Sequence, residues 1–213
     1  MGNQIENNKV TIMGTVCTDL VFNHEVNGKK FYVADVEVKR KSGVSDFIPV
    51  TFPDYLGFST DDLKGKLVVL KGKFRSYNLH CENKSKLILS VLVEEIQFLE
   101  ELSLSVCDNR IVLEGYVCKK PVYRETPLGR QITDVLIAVN RPYGKSDYIP
   151  CIVWGRNARF AESFEIGTKV RFTGRIQSRE YHKRLGEFEC DFRTAYEVSV
   201  SKLEVICDEE QSN

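Results

Sequence analysis

A pattern of matching residues between 8 and 49 recurs 101 positions later in this chain. Asn8-Lys9-Val10 aligns with Asn109-Arg110-Ile111, Gly14 with Gly115, and Val16-Cys17 with Val117-Cys118. Gly28 matches Gly129, Arg40 matches Arg141, and Gly43 matches Gly144. The segment Ser45-Asp46-Phe47-Ile48-Pro49 returns as Ser146-Asp147-Tyr148-Ile149-Pro150. After one inserted residue, Gly65 aligns with Gly167 and Gly72 with Gly174. A constant offset over such a length marks two copies of one folding unit. The 213 residues suit two small domains. The expected boundaries are a first domain over 1–100, a linker at 101–108, a second domain over 109–207, and a short acidic tail at 208–213.

Each copy reads mostly as strand. In the second, Arg110–Cys118 opens in β-favouring residues. TPLGR at 126–130 has Pro and Gly placed to reverse the chain. In Thr133–Asn140, Val135, Ile137 and Val139 alternate onto one face. Ser146–Trp154 is a third strand. Arg156–Phe164 lacks Gly and Pro and is a short helix candidate, with Gly167 expected to stop it. Lys169–Arg179 is a fourth strand, and Glu187–Ile206 supplies the last. About five strands with one helix between the third and fourth is the order of an oligonucleotide/oligosaccharide-binding (OB) barrel. The expected fold is therefore all-β, two tandem five-stranded OB barrels, each with that helix.

Side chains alternate across a strand, so parity assigns faces. Ile149, Cys151 and Val153 share one parity and read as core. Tyr148, Pro150, Ile152 and Trp154, which includes the only tryptophan, share the other. In the fourth strand Val170, Phe172 and Ile176 are the apolar set. Arg171, Thr173, Arg175, Gln177 and Arg179 lie opposite, and Tyr181 continues their parity. Tyr143 sits in a Gly-containing loop between Arg141 and Lys145, and Arg156 follows Trp154. Aromatics bordered by cations suit a stacking platform, on which each nucleic-acid base is worth about 1–3 kcal/mol whatever its identity. The competing reading is ordinary: a strand Trp in the core, exposed tyrosines, solvated arginines.

Charge and cysteines narrow the classes. Residues 109–206 hold 17 basic and 12 acidic residues, whereas residues 8–100 hold 13 and 12. A modest positive surplus in the second copy predicts salt-sensitive binding, because each neutralised phosphate releases counterion. Seven cysteines without a CxxC pair, and no signal-peptide core in MGNQIENNKV, suggest free thiols in a reducing cytoplasm. No apolar run reaches the roughly 18 residues of a membrane helix. His24, His80 and His182 lack zinc-site spacing, so neither metal nor cofactor is expected. Asp134, Asp147 and Glu180 are scattered, and no catalytic residues are identified.

The run NRIVLEGYVCKKP, TPLGR, IAVNRP, DYIPCIVWG and GTKVRFTGRIQSREY resembles the bacterial single-stranded DNA-binding protein family, motif by motif and in order. The resemblance implies an OB barrel that binds single-stranded DNA without strong sequence preference and without catalysis, in replication, recombination or repair. It places stacking on Tyr143, Tyr148, Trp154 and Tyr181. The expected phosphate ligands are Arg141, Lys145, Arg156, Arg171, Arg175, Arg179, Lys183 and Arg184.

The first copy resembles the family less. Phe47 stands for Tyr148, but Pro53 replaces Trp154, Ser42 replaces Tyr143, and Leu79 replaces Tyr181. Tyr77, beside Lys73 and Arg75, is a substitute aromatic, and Arg40 repeats Arg141. This copy is expected to bind weakly, to bind by charge alone, or to serve assembly. Family members with two domains per chain form dimers, so a homodimer with four OB domains is expected. The sequence closes on CDEEQSN without the family's long linker and hydrophobic tip, so the usual tip-recruited partners are not. Two other classes stay open: an OB-fold protein-interaction or primosome-type accessory module, and an RNA binder, since stacking alone does not read the 2′-OH.

Overall fold

The computed structural model describes residues 6–58, 62–81, 84–100, 109–184 and 190–207. The expected linker at 101–108 and the tail at 208–213 lie outside these. The chain is mostly β. It forms two compact units that interleave along the sequence. One contains 111–175 and 198–213 together with residues 1–9; the other contains 10–110 together with 176–197.

The unit built on the first repeat contains β1 (Asn8–Val16), β2 (Val21–Val26), β3 (Lys29–Lys39), β4 (Ser45–Pro53), β5 (Leu67–Cys81) and β6 (Lys84–Leu99). Five of these pair in a closed ring. β1 pairs antiparallel with β5, β5 with β6, and β3 with both β4 and β1, while β4 and β6 are parallel. A ring has no edges to protect, and its interior is filled by one face of every strand. Ile12, Val36, Ile48, Val50, Phe52 and Phe74 are fully buried there. Each such side chain contributes about 1.5–3 kcal/mol by leaving water. Strand β2 adds a hairpin to β3 outside the ring. Its turn, Asn27-Gly28, has φ of 51° and 75°, the doubly left-handed turn that suits strand twist.

The second unit repeats the plan with β7 (Asn109–Val117), β8 (Val122–Glu125), β9 (Gln131–Asn140), β10 (Ser146–Trp154), α1 (Arg156–Glu162), β11 (Lys169–Arg184) and β12 (Cys190–Val205). β7 pairs with β9 and β11, β9 with β10, β11 with β12, and β10 runs parallel to β12. β8 pairs with β9 alone. Among the described residues the short hairpin strands β2 and β8 raise the count to six in each half, and neither has the length or periodicity to read from sequence. β1, β7, β11 and β12 each contribute residues to both units.

The repeated glycines mark close approaches. A Cβ on Gly115 would lie 2.5 Å from the carbonyl oxygen of Ala138, and one on Gly14 would lie 2.3 Å from that of Glu37. Only a residue without a side chain lets the strands cross there. Gly167 has another role than expected. α1 ends at Glu162, and Gly167, at φ 92°, donates its N–H to Val117 O at 2.8 Å and turns the chain into β11. In the first repeat the corresponding stretch holds, among the described residues, a 3-10 turn at Asp54–Leu56. No helix of the described residues is long and apolar enough to cross a membrane.

Candidate nucleic-acid interface

Strand register builds the candidate site. Lys169 on β11 stands opposite Tyr116 on β7. Tyr116 stands opposite Ala138 on β9, and Ala138 opposite Tyr148 on β10. Residues directly opposite one another share a face and lie side by side. Lys169, Tyr116, Ala138 and Tyr148 therefore form one row across four strands. Both tyrosines are exposed, and alanine between them leaves open ground. Tyr116 escapes a reading confined to the third and fourth strands. The signal was present, since Arg110, Val112, Glu114 and Tyr116 share the outward parity of β7.

Farther along the same face of β10 comes Trp154, half-buried, with its indole Nε1 donating to Ser199 Oγ on β12 at 3.0 Å. That bond fixes the ring and leaves part of it open. Ile152, assigned by parity to the outward side, is instead 4% exposed and belongs to the core. Tyr143 is fully exposed, at φ 66°, on the 3-10 turn Pro142–Gly144 between β9 and β10.

The base of that turn explains Arg141. Its backbone N–H donates to Lys145 O at 2.7 Å. Its guanidinium makes a two-pronged ion pair with the fully buried carboxylate of Asp147, Nε at 2.7 Å from Oδ2 and Nη2 on Oδ1. The first repeat copies the arrangement: Arg40 Nε lies 2.7 Å from Oδ2 of buried Asp46, and Nη2 sits on Oδ1. The bonds to Asp46 hold the Arg40 guanidinium more firmly charged than usual. Arg40 and Arg141 were expected to meet phosphate; their forks are instead engaged by buried aspartates and tie down the loops.

Other expected cations divide. Arg171 lies between acids, 2.7 Å from Glu114 and 3.6 Å from Glu204, and these neighbours favour its charged form. Lys73 lies 3.0 Å from Glu94, and Arg179 lies 3.5 Å from Glu197 and 5.8 Å from the Tyr181 ring centroid. Arg75 and Arg175 are half-buried and have partners. Lys145 and Arg156 are exposed and make no ion pair among the described residues. The side chains of Lys183 and Arg184 lie outside the described residues.

Tyr143, Tyr148 and Trp154 belong to one unit, with Tyr116. Tyr181, half-buried, belongs to the other, with Phe47 and Tyr77, both about half-exposed. There the register repeats with different chemistry. Leu67, Thr15, Glu37 and Phe47 form the row that matches Lys169, Tyr116, Ala138 and Tyr148. A carboxylate, accepting from Ser45 Oγ at 2.6 Å, stands where the second repeat has a methyl group. Asp35, next on that face, stands where the second repeat has Leu136. The cysteines repeat as well: Cys17 Sγ donates to Asp35 O at 3.1 Å and Cys118 Sγ to Leu136 O at 3.3 Å. Burial raises both thiol pKa values, which disfavours the reactive thiolate.

Residues 108–206 match the model of the Single-strand binding protein family. A single-stranded DNA-binding protein of Oceanobacillus iheyensis is 36% identical over 86 residues, covering 37% of this chain and 53% of the relative. Single-stranded DNA-binding protein 1 of Staphylococcus aureus is 33% identical over 110 residues, covering 48% of this chain and 59% of the relative. The chain thus spans about half the length of the curated relatives it matches. The crystal structure of the wild-type single-stranded DNA binding protein from Thermus aquaticus covers 94% of this chain and 93% of its own, with a TM-score of 0.72 at 19% identity. The fold of that protein therefore extends over both repeats, although the family-model match covers only the second.

Proposed function

We propose that the chain binds single-stranded DNA without sequence preference, in replication, recombination or repair, and does so mainly through the second repeat. The two closed strand rings are read as tandem OB barrels, with repeat boundaries at 1–100 and 109–207. Bases stack on Tyr148, Trp154 and Tyr143, and Tyr116 extends the platform. Lys145 and Arg156 meet phosphate. Binding, not catalysis, is the role, and a homodimer in the cytoplasm is its setting.

One observation carries this reading above the others: an exposed aromatic row without an acidic side chain, ending on Lys169, in the stretch that matches the family model. Bare aromatic surface on a sheet face is costly unless it is used. Its charged counterpart on the first repeat disfavours phosphate by like-charge repulsion, which supports the division of labour.

The test is fluorescence titration of Trp154 with a dT oligonucleotide at low and high salt. The lone tryptophan makes the signal local to the second repeat. Quenching that weakens as salt rises is the expected result. An unchanged emission, with labelled dT bound elsewhere or not at all, would refute the platform.

A further inference from the structure

The same face of the first repeat holds a groove of about 470 Å³, open to solvent. Asp35 lines it together with Tyr77 of β5 and Tyr196 of the 176–197 segment, with Val33 and Leu87 among its apolar walls. The backbone of Asp35 is fully used. Its N–H donates to Thr18 Oγ1 at 2.8 Å, and its C=O accepts from Cys17 N at 2.9 Å and from Cys17 Sγ. Its carboxylate accepts nothing from the described residues. Asp19, on the rim, is held by Lys64 at 2.7 Å. Lys86 also lines the groove but forms no ion pair among the described residues.

A half-buried carboxylate with no counter-ion is costly. Its neighbours feel that cost. Burial raises the pKa of Asp35, and burial together with the Asp35 charge raises that of Tyr196. A cation placed there would gain an ion pair and two aromatic neighbours at once. The border of the groove favours a cation carried on a peptide. Val21 and Asn23 of β2 line it, and β2 is exposed throughout, pairs with β3 alone, and ends its sheet. An edge strand offers backbone donors and acceptors to an extended segment.

We propose that this groove binds an extended basic segment of a protein partner, seating an arginine or lysine side chain against Asp35. The first repeat is then a peptide-reading module built on the face that the second repeat turns to nucleic acid.

The probe is a fluorescein-labelled hexapeptide alternating valine and arginine, titrated into the full chain and followed by anisotropy. Saturable binding is expected. Asp35→Asn should weaken it more than tenfold, and Tyr77→Ala at least severalfold. Glu95→Gln, at an exposed acid of β6 paired with Lys71 of β5, should leave it unchanged. The thermal transition and the dT-induced change at Trp154 report that each variant is folded. Equal binding by Asp35→Asn, or equal binding of a valine–glutamine peptide, would overturn the proposal. Displacement by spermine at concentrations matching the peptide would assign the site to free polyamines and overturn it too.

Discussion

Replacing Arg40 by methionine keeps the aliphatic stem and removes the guanidinium. Among the described residues Asp46 is then left with one partner, the backbone N–H of Ser178 at 2.9 Å, in a place where its carboxylate is fully buried. Losing one member of a fully buried ion pair costs about 3–5 kcal/mol. The Arg40 side chain is 23% exposed, so water shares its place and the expected loss falls to about 2–3 kcal/mol. For a chain of this size, that is a fall in Tm of about 5–10 °C. Asp46→Asn in the same background should recover part of the loss. The assay is thermal unfolding by circular dichroism, with dT affinity measured in parallel. An unchanged Tm together with a salt slope reduced by about one would mean that Arg40 meets phosphate after all, and that the pairing with Asp46 carries no weight.

Trp154→Ala should weaken binding of labelled dT by about 1–3 kcal/mol, and Tyr116→Ala should cost about 1 kcal/mol or more, each with little change in salt slope; anisotropy reads both, and wild-type affinity in both would remove the sheet face from the DNA path. Gly115→Ala should destabilise by about 1–3 kcal/mol, because its Cβ would meet the Ala138 carbonyl oxygen at 2.5 Å; a denaturant midpoint equal to wild type would show that the strands relax freely there. Asp35 has a folded pKa raised by burial, so its contribution is favourable at acid pH and is lost as pH rises through that value. Asp35→Asn should therefore be more stable than wild type at neutral pH, with the advantage vanishing below the ordinary carboxylate range. A constant difference across pH in thermal melts would contradict this.

The repeat and the period-two pattern made much of the architecture legible. Ser146–Trp154 is a strand with the expected bounds, and the parity of Tyr148 and Trp154 places them outward. What the pattern could not convey was pairing between distant residues. Arg40 and Arg141 look like surface cations because the aspartate that engages each lies six residues on, across a turn. Arg171 looks like a phosphate ligand until β7 brings Glu114 opposite it. Tyr116 becomes part of a row only when register sets it beside Ala138. Ile152 obeys the strand's parity and is still covered, because alternation describes one strand and burial depends on everything around it. Nor does a repeat boundary reveal that residues 176–197 complete the unit of the other repeat.

That interleaving sets a schedule for synthesis. Residues 10–110 leave the ribosome well before residue 176 is made, and at roughly 5–20 residues per second the interval is about 3–13 s. During it Asp46 has Arg40 but not Ser178, the N–H of Phe47 lacks the Ser178 hydroxyl it later meets at 3.1 Å, and the groove lacks its Tyr196 wall. The nascent first repeat thus waits in a provisional form, and its maturation is timed by translation of the second.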